Sequence, residues 1–233
     1  MGSVYVVGTC DTKGEELQYI RDLIARTGQR ATLVDVSTSG GGSAVSADHT
    51  PEEVLGHHPK GASLTGDRGE SVAIMSEALV EFIRSRTDLD GILGVGGSGG
   101  TAIAAPAMRV LPIGVPKVLV STVASGNVAP YVGPTDISMM YSVTDVAGLN
   151  RISRKVLANA AFSVVGMVSN PLPEAADEKP AIGLTMFGVT TPCVQAIVSQ
   201  LSADYDCLVF HATGVGGRSM EKLADSGLLA AAM

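Results

Sequence analysis

The sequence has no tryptophan, only three cysteines and few charged residues. The cysteines, Cys10, Cys193 and Cys207, are far apart and form no CxxC pair, so we expect neither a disulfide framework nor a zinc site. Charged residues make up 17% of the chain, the formal net charge is −7, and no basic patch stands out. Because nucleic-acid-binding surfaces are basic, we expect no nucleic-acid partner.

Long apolar runs and an N-terminal targeting segment are missing as well. No stretch has the length of a membrane span or the pattern of a signal peptide, so we expect a cytoplasmic protein without a membrane partner. Hydrophobic residues make up 45% of the chain, and glycine occurs 28 times. Short runs of Val, Ile and Leu suit parallel strands that are buried on both faces. The composition indicates a folded α/β protein rather than a disordered chain.

Strand patterns alternate with helical patterns along the chain. Strands are predicted at 4–7, 31–36, 91–95, 116–121 and 137–143. The intervening segments repeat apolar residues at helical spacing. Thr12 and Glu15 have the spacing of a capping box that would start the first helix, and Asp67 and Glu70 have the same spacing further on. The alternation predicts a Rossmann-like parallel sheet with helices on both faces.

A proline-rich segment interrupts this alternation at 169–180, and the pattern then restarts. FGVTTP follows the next strand as GTCDTKG follows the first, and HATGVGGR corresponds to GVGGSGG. We therefore predict a nucleotide-binding domain over 1–168, a linker over 169–180, and the beginning of a second, similar α/β domain over 181–233 that ends in an Ala-rich helix. Because this second domain is short, we expect the chain to be a fragment.

Five of the nine residues in GVGGSGGTA, Gly94–Ala102, are glycine, and this stretch separates a strand pattern from a helix pattern. Ligands of parallel sheets bind at the carboxyl ends of the strands, where helix N-termini present free N–H groups to phosphate. The stretch fits G-x-G-x-x-G, but the next strand ends in Ser121 rather than in an acidic residue, which disfavours a nicotinamide cofactor. We interpret it as a phosphate-facing turn.

The same glycines also match G-x-S-x-G around Ser98, the pattern of a nucleophile elbow. Asp136 or Asp145, followed by His211, would complete a hydrolase triad in the right order. A serine hydrolase therefore stays open as the alternative. His49, His57 and His58 lie in a long polar loop without the spacing of a metal site.

Several stretches together resemble one known family. They are VYVVGTCDTKGEEL, DRGE, GVGGSGGT, VSTVASGNVAPYVGPTDI and FHATGVGGRSMEKL. The family comprises ATP-binding domains similar to the N-terminal part of the tomato mosaic virus resistance protein, with largely uncharacterised bacterial members. The resemblance covers essentially the whole chain. It implies two Rossmann-like subdomains, ATP bound in the N-terminal part, and a homodimer.

The expected ligand is ATP with Mg²⁺, and any reaction is unknown. Lys13 would pair with a phosphate, Asp35 would accept from a ribose hydroxyl, and Asp136, with Asp11 as a second candidate, would hold the metal. The loops after the strands supply the nucleotide contacts, predicted at Gly8, Thr9, Asp11, Thr12, Lys13, Asp35, Gly96, Gly97, Ser98, Gly99, Gly100, Thr101, Ser121, Thr122, Ser125 and Gly126.

Overall fold

The computed structural model describes residues 2–43, 45–172 and 178–233. The chain divides into two compact units. The first consists of the residues up to Val132 and of Asp136–Pro171, and the second of Gly133–Thr135 and Leu172–Met233. None of the helices in the described ranges is both long and apolar enough to cross a bilayer.

The first unit contains a five-stranded sheet. Its strands are β1 (Ser3–Gly8), β2 (Ala31–Asp35), β3 (Leu89–Gly96), β4 (Lys117–Ser121) and β5 (Ser138–Tyr141). The order is β2-β1-β3-β4-β5, and all neighbours are parallel. Its helices are α1 (Cys10–Arg26), α2 (Pro51–Leu55), α3 (Arg68–Arg84), α4 (Ser98–Val110), α5 (Ala129–Val132) and α6 (Ser153–Ser169). This confirms the predicted Rossmann-like α/β fold.

Strands β1 to β4 are largely buried on both faces, and β1 shows why its sequence is continuously apolar. Successive strand side chains point to opposite faces of a sheet. Val4 and Val6 belong to the hydrophobic cluster beneath α1 and α6. Tyr5 and Val7 belong to the cluster beneath α3 and α4. Helices therefore cover both faces, and the carboxyl-end edge of the sheet is left for a site.

The two predicted capping boxes have different outcomes. Asp67 caps α3, since its Oδ1 accepts a hydrogen bond from the Glu70 N–H at 2.8 Å. The box at Thr12 is wrong, because α1 begins earlier, at Cys10, with Thr9 as its N-cap. The helix is interrupted at Lys13, whose φ of −136° and ψ of 24° are not helical.

The second unit contains a smaller parallel sheet of β6 (Ala181–Met186), β7 (Asp206–His211) and β8 (Ala231–Ala232), with α7 (Thr191–Leu201) and α8 (Val215–Asp225). Its order, β7-β6-β8, repeats the β2-β1-β3 order of the first unit. The predicted second, similar domain is therefore confirmed in its βαβαβ arrangement. Its cluster of buried hydrophobic residues comprises Ile182, Leu184 and Val194.

Two details predicted for this unit are wrong. Residues 231–232 form a strand rather than an Ala-rich helix, because β8 pairs with β6. The loop HATGVGGR follows β7, which occupies the place of β2 at the edge, so it is not the counterpart of GVGGSGG. Of the predicted linker, residues 173–177 lie outside the described residues, and α6 ends at Ser169, where that linker was predicted to begin.

Candidate functional site

A pocket of about 760 Å³ lies at the carboxyl-end edge of the first unit's sheet. The loop after each of the five strands contributes to it, through Thr9, Thr38, Gly97, Thr122 and Asp145 respectively. The strand order reverses between β1 and β3, and open α/β sheets bind ligands at such a switch point. The topology therefore brings the loops that sequence analysis selected to one place.

The pocket brings together about half of the predicted nucleotide contacts. Those that line it are Thr9, Asp11, Thr12, Lys13, Gly97, Ser98, Gly99, Gly100 and Thr122. The predicted residues that do not line it are Gly8, Asp35, Gly96, Thr101, Ser121, Ser125, Gly126 and Asp136. Most of the second group have structural roles instead.

Asp35 is a capping residue rather than a ribose contact. It is buried, and its Oδ1 accepts hydrogen bonds from the Cys10 N–H at 3.0 Å and the Ser37 N–H at 2.9 Å. The Ser37 hydroxyl donates to the same oxygen at 2.5 Å. Parallel pairing sets Gly8 opposite Asp35, which is why this carboxylate reaches the start of α1.

Thr101 and Ser121 are also turned away from the pocket. Both are fully buried, and their hydroxyl oxygens lie 2.6 Å apart, which joins α4 to the end of β4.

The glycines of the GVGGSGG loop are needed for close packing rather than for unusual backbone angles. No residue from Gly94 to Gly100 has a positive φ. A Cβ on Gly96 would lie 2.7 Å from Gly100 Cα, so this glycine allows β3 and α4 to approach closely. Gly8 is similar, since its Cβ would meet Leu17 Cδ2 at 2.7 Å. Gly97 has room for a side chain, with Thr122 Oγ1 nearest at 3.7 Å, and it faces the pocket.

Asp136 lies at the other edge of the sheet and does not fit a metal site in this pocket. Its carboxylate accepts from Lys117 Nζ and from the Gly114 N–H, at 2.7 and 2.8 Å. Lys117 is the first residue of β4, at the amino end of that strand. Burial alone would raise the pKa of Asp136, but the hydrogen bonds from Lys117 and Gly114 hold the pKa below its usual value.

The N-termini of α1 and α4 differ in whether their first N–H groups have hydrogen-bond acceptors. In α1 the Cys10 and Asp11 N–H groups donate to Asp35 Oδ1 and Ser37 Oγ, at 3.0 and 3.1 Å. The next two N–H groups, of Thr12 and Lys13, donate to the Thr9 carbonyl at 3.3 and 2.9 Å. All four groups that a helix start leaves unpaired are therefore satisfied internally.

In α4 no side chain caps the helix. Across the described residues, no acceptor is found for the N–H groups of Ser98, Gly99 and Gly100. They line the pocket at the positive end of the helix dipole. This N-terminus is the one suited to an anion.

Charged side chains of both signs border the pocket. Lys13 Nζ donates to the Val146 carbonyl at 2.5 Å, a contact that holds the loop carrying Asp145. Asp11 accepts from the Ser39 hydroxyl through Oδ2, whereas its Oδ1 is buried and has no partner within the described ranges. Carboxylate oxygens of this kind are the ligands that Mg²⁺ prefers.

Sequence analysis missed the wall formed by α3. Arg68 and Val72 line the pocket opposite Gly99, together with Thr65, Gly66 and Ser71. A signal was present, because the correctly predicted N-cap at Asp67 starts a helix that follows β2. In a parallel α/β sheet such a helix can begin at the carboxyl-end edge.

The alternative hydrolase site has its serine at a strand-to-helix turn, but no histidine lies beside it among the described pocket residues. Ser98 is the first residue of α4 and is exposed to the pocket. None of the described residues that line the pocket is a histidine. His211 belongs to the second unit, and His58 is buried, with Nε2 3.3 Å from Glu77. Burial, followed by the Asp35 carboxylate, raises the pKa of the Cys10 thiol to about 12, which keeps this thiol protonated near neutral pH.

Comparison with known proteins identifies relatives along the whole chain. Residues 2–173 match the N-terminal domain of an uncharacterised protein family, UPF0261, and residues 179–233 match its C-terminal domain. A UPF0261 protein of Rhizobium meliloti is 58% identical over 232 residues, which are 98% of this chain and 58% of the relative. One of Mesorhizobium japonicum is 56% identical, with the same coverage of both chains.

The ToMV resistance protein Tm-1 of Solanum lycopersicum is 41% identical over 252 residues. That match covers 97% of this chain and 33% of the tomato protein. The expected resemblance to the tomato protein is confirmed, and ATP binding stays a prediction. The chain spans about 58% of the length of each of these two rhizobial relatives.

Proposed function

The chain belongs to the uncharacterised protein family UPF0261, and on that premise we propose that its first unit binds a nucleotide, with ATP as the expected ligand. The pocket at the carboxyl ends of the five strands is the binding site. Its volume of about 760 Å³ lies within the range of small-molecule sites. The choice of ATP over another phosphate compound is based on the resemblance to ATP-binding domains.

The observation that carries this proposal is the uncapped N-terminus of α4. A helix N-terminus with unpaired N–H groups favours an anion through hydrogen bonds and through the dipole. The N–H groups of Ser98, Gly99 and Gly100 supply the donors, and the absent Cβ atoms of Gly97 and Gly99 keep the approach open. Lys13 adds a positive charge from the neighbouring loop.

Mg²⁺ accompanying the phosphates would be held by Asp11 and Asp145 rather than by Asp136. Both carboxylates line the pocket, and the unpartnered Oδ1 of Asp11 is a free ligand atom. The metal would offset phosphate charge beside these two carboxylates.

Thermal melting with Mg-ATP, AMP and NADH tests the proposal. Because a ligand that binds only the folded state stabilises it, Mg-ATP should raise the melting temperature by several degrees, with little effect from NADH. Gly97→Val should abolish that rise by filling the space above the α4 N-terminus. Gly166→Val is a matched control, since Gly166 lies in α6 with no atom within 4 Å of its Cβ position. If Mg-ATP produces no rise, the proposal is wrong.

A serine hydrolase remains the second candidate, because Ser98 begins a helix directly after a strand and its turn. Ser98→Ala separates the two functions. It should abolish ester hydrolysis by a hydrolase but only weaken nucleotide binding.

We also propose a cytoplasmic homodimer, as expected from the family resemblance and from the sequence. Sedimentation velocity at several concentrations measures the oligomeric state directly. A species with the mass of one chain at all concentrations would contradict the dimer.

A further inference from the structure

Arg68 is a cation at the pocket that has no partner among the described residues. It is the first residue of α3, is exposed, and lines the pocket. Within the described ranges its guanidinium makes no hydrogen bond and no ion pair. The nearby acidic side chains are engaged elsewhere, since Asp67 caps the helix and Glu70 accepts from the Thr65 hydroxyl at 2.8 Å.

The guanidinium lies beside the open N-terminus of α4. A Cβ on Gly99 would be 3.7 Å from Arg68 Nη2, so only the hydrogen of glycine separates the guanidinium from this turn. An anion bound to the N–H groups of Ser98–Gly100 would therefore be within reach of Arg68. A guanidinium presents two parallel N–H donors, which match two oxygens of one phosphate group.

Lys13 and Arg68 approach the α4 N-terminus from opposite faces of the sheet. Lys13 is on α1, which packs with α6, whereas Arg68 is on α3, which packs with α4. Lys13 already donates one of its three N–H groups to the Val146 carbonyl, whereas no described residue accepts a hydrogen bond from the Arg68 guanidinium. A ligand that uses both cations must carry negative charge across the width of the pocket, as a chain of phosphates does.

We propose that Arg68 is a specificity-determining residue that binds the terminal phosphate of a polyphosphate ligand and makes the pocket prefer nucleoside triphosphates to monophosphates. This inference rests on the proposed nucleotide binding. In this arrangement the inner phosphates lie beside Lys13 and the terminal phosphate lies beside Arg68, so a monophosphate at Lys13, with its single phosphate group, does not reach Arg68. The contact is made only when further phosphate groups extend to the α4 N-terminus.

Isothermal titration of ATP, ADP and AMP into the whole chain tests this inference. Loss of a charge-assisted bidentate contact should lower the affinity of Arg68→Ala for ATP by about 10- to 100-fold. The affinity for AMP should change less than about threefold, because AMP does not reach the guanidinium. Arg68→Lys keeps the positive charge but loses the two parallel N–H donors of the guanidinium, and it should give an intermediate ATP affinity.

Arg84→Ala is the matched control, because Arg84 lies at the other end of the same helix and pairs with Glu81 at 2.7 Å. It should leave all three affinities unchanged. Arg68→Ala should melt at the wild-type temperature without ligand, since none of the described residues pairs with the Arg68 side chain.

If Arg68→Ala retains the wild-type ratio of ATP to AMP affinity, the role of Arg68 is wrong while nucleotide binding stands. If the wild-type chain binds none of the three, the proposed function is wrong, and this inference with it.

Discussion

The loops after β1 and β3 have similar sequence features, and the structure separates them. Both are polar, contain glycine and lead into a helix at the same edge of the sheet. The first is closed, because Asp35, Ser37 and Thr9 accept from the N–H groups of α1. The second is open, because no described residue caps α4. A phosphate cradle is therefore recognised by where the backbone N–H groups donate, and glycine content alone does not reveal it.

The largest loss of stability is expected from a side chain added at Gly96, where β3 and α4 pack closely in the open loop. Gly96→Val would put atoms within 3 Å of the Gly100 backbone, which cannot shift without moving α4, and should lower the free energy of unfolding by about 3 kcal/mol. Gly97→Val should lower it by less than about 1 kcal/mol, since Gly97 has space and extended backbone angles. Urea unfolding of both variants measures this. Equal losses would mean that the two glycines have the same role.

The second-largest loss of stability is expected in the closed loop after β1. Asp35→Ala removes the acceptor of three hydrogen bonds, one from the Cys10 N–H at the start of α1 and two from Ser37, and should cost about 2–3 kcal/mol in unfolding free energy. Asp145→Ala is a matched control at the pocket, where the carboxylate makes no hydrogen bond to the described residues. It should leave stability unchanged and weaken the Mg²⁺ dependence of ATP binding. Unchanged stability in Asp35→Ala would contradict the closed state of this loop.

A smaller effect distinguishes the two edges of the sheet. Asp136 pairs with Lys117, whose side chain is fully buried. The Asp136 side chain is 38% exposed, so solvent screens part of the attraction between the two charges. Asp136→Asn should therefore cost about 1–2 kcal/mol near neutral pH. ATP affinity should not change, because this pair lies at the amino end of β4.

The pH dependence of that loss follows from the lowered pKa of Asp136. The pair stabilises the protein above the unfolded-state pKa of about 3.9, and this stabilisation is lost as the pH falls through the lower folded-state pKa. The difference in stability between wild type and Asp136→Asn should thus be full at neutral pH and shrink in acid. Urea unfolding of both proteins, from neutral pH into acid, measures this difference in stability. A constant difference, or a loss of Mg-ATP binding in the variant, would contradict the assignment.

The smallest effect is expected at Ser98. Its hydroxyl adds one donor to a site whose main donors are backbone N–H groups, so Ser98→Ala should weaken ATP binding by about three- to tenfold. Calorimetry gives the affinity, and an ester substrate gives the hydrolase rate in parallel. Complete loss of esterase activity, with ATP binding intact, would favour the hydrolase.

Local patterns were sufficient to predict the alternation of strands and helices, because apolar periodicity is a property of neighbouring residues. The same holds for the N-cap at Asp67, which accepts a hydrogen bond from the Glu70 N–H three positions away. The convergence of the loops after β1 and β3 was also predictable, since it follows from parallel strands alone.

Roles that depend on long-range contacts could not be read in this way. An acidic residue at the end of β2 fits a ribose contact or a helix cap equally well, and only the register that pairs Gly8 with Asp35 decides. The pairing of Asp136 with Lys117 and the position of Arg68 beside Gly99 depend on packing between elements. A single sequence contains no measure of such distances.

Backbone amide NMR of the chain during titration with Mg-ATP tests the central claim most directly. If the phosphates bind at the open N-terminus, the resonances of Ser98, Gly99 and Gly100 should shift strongly, while that of Cys10, which is buried and already donates to Asp35, should change little. A strong shift at Cys10 without shifts at Ser98–Gly100 would contradict the account.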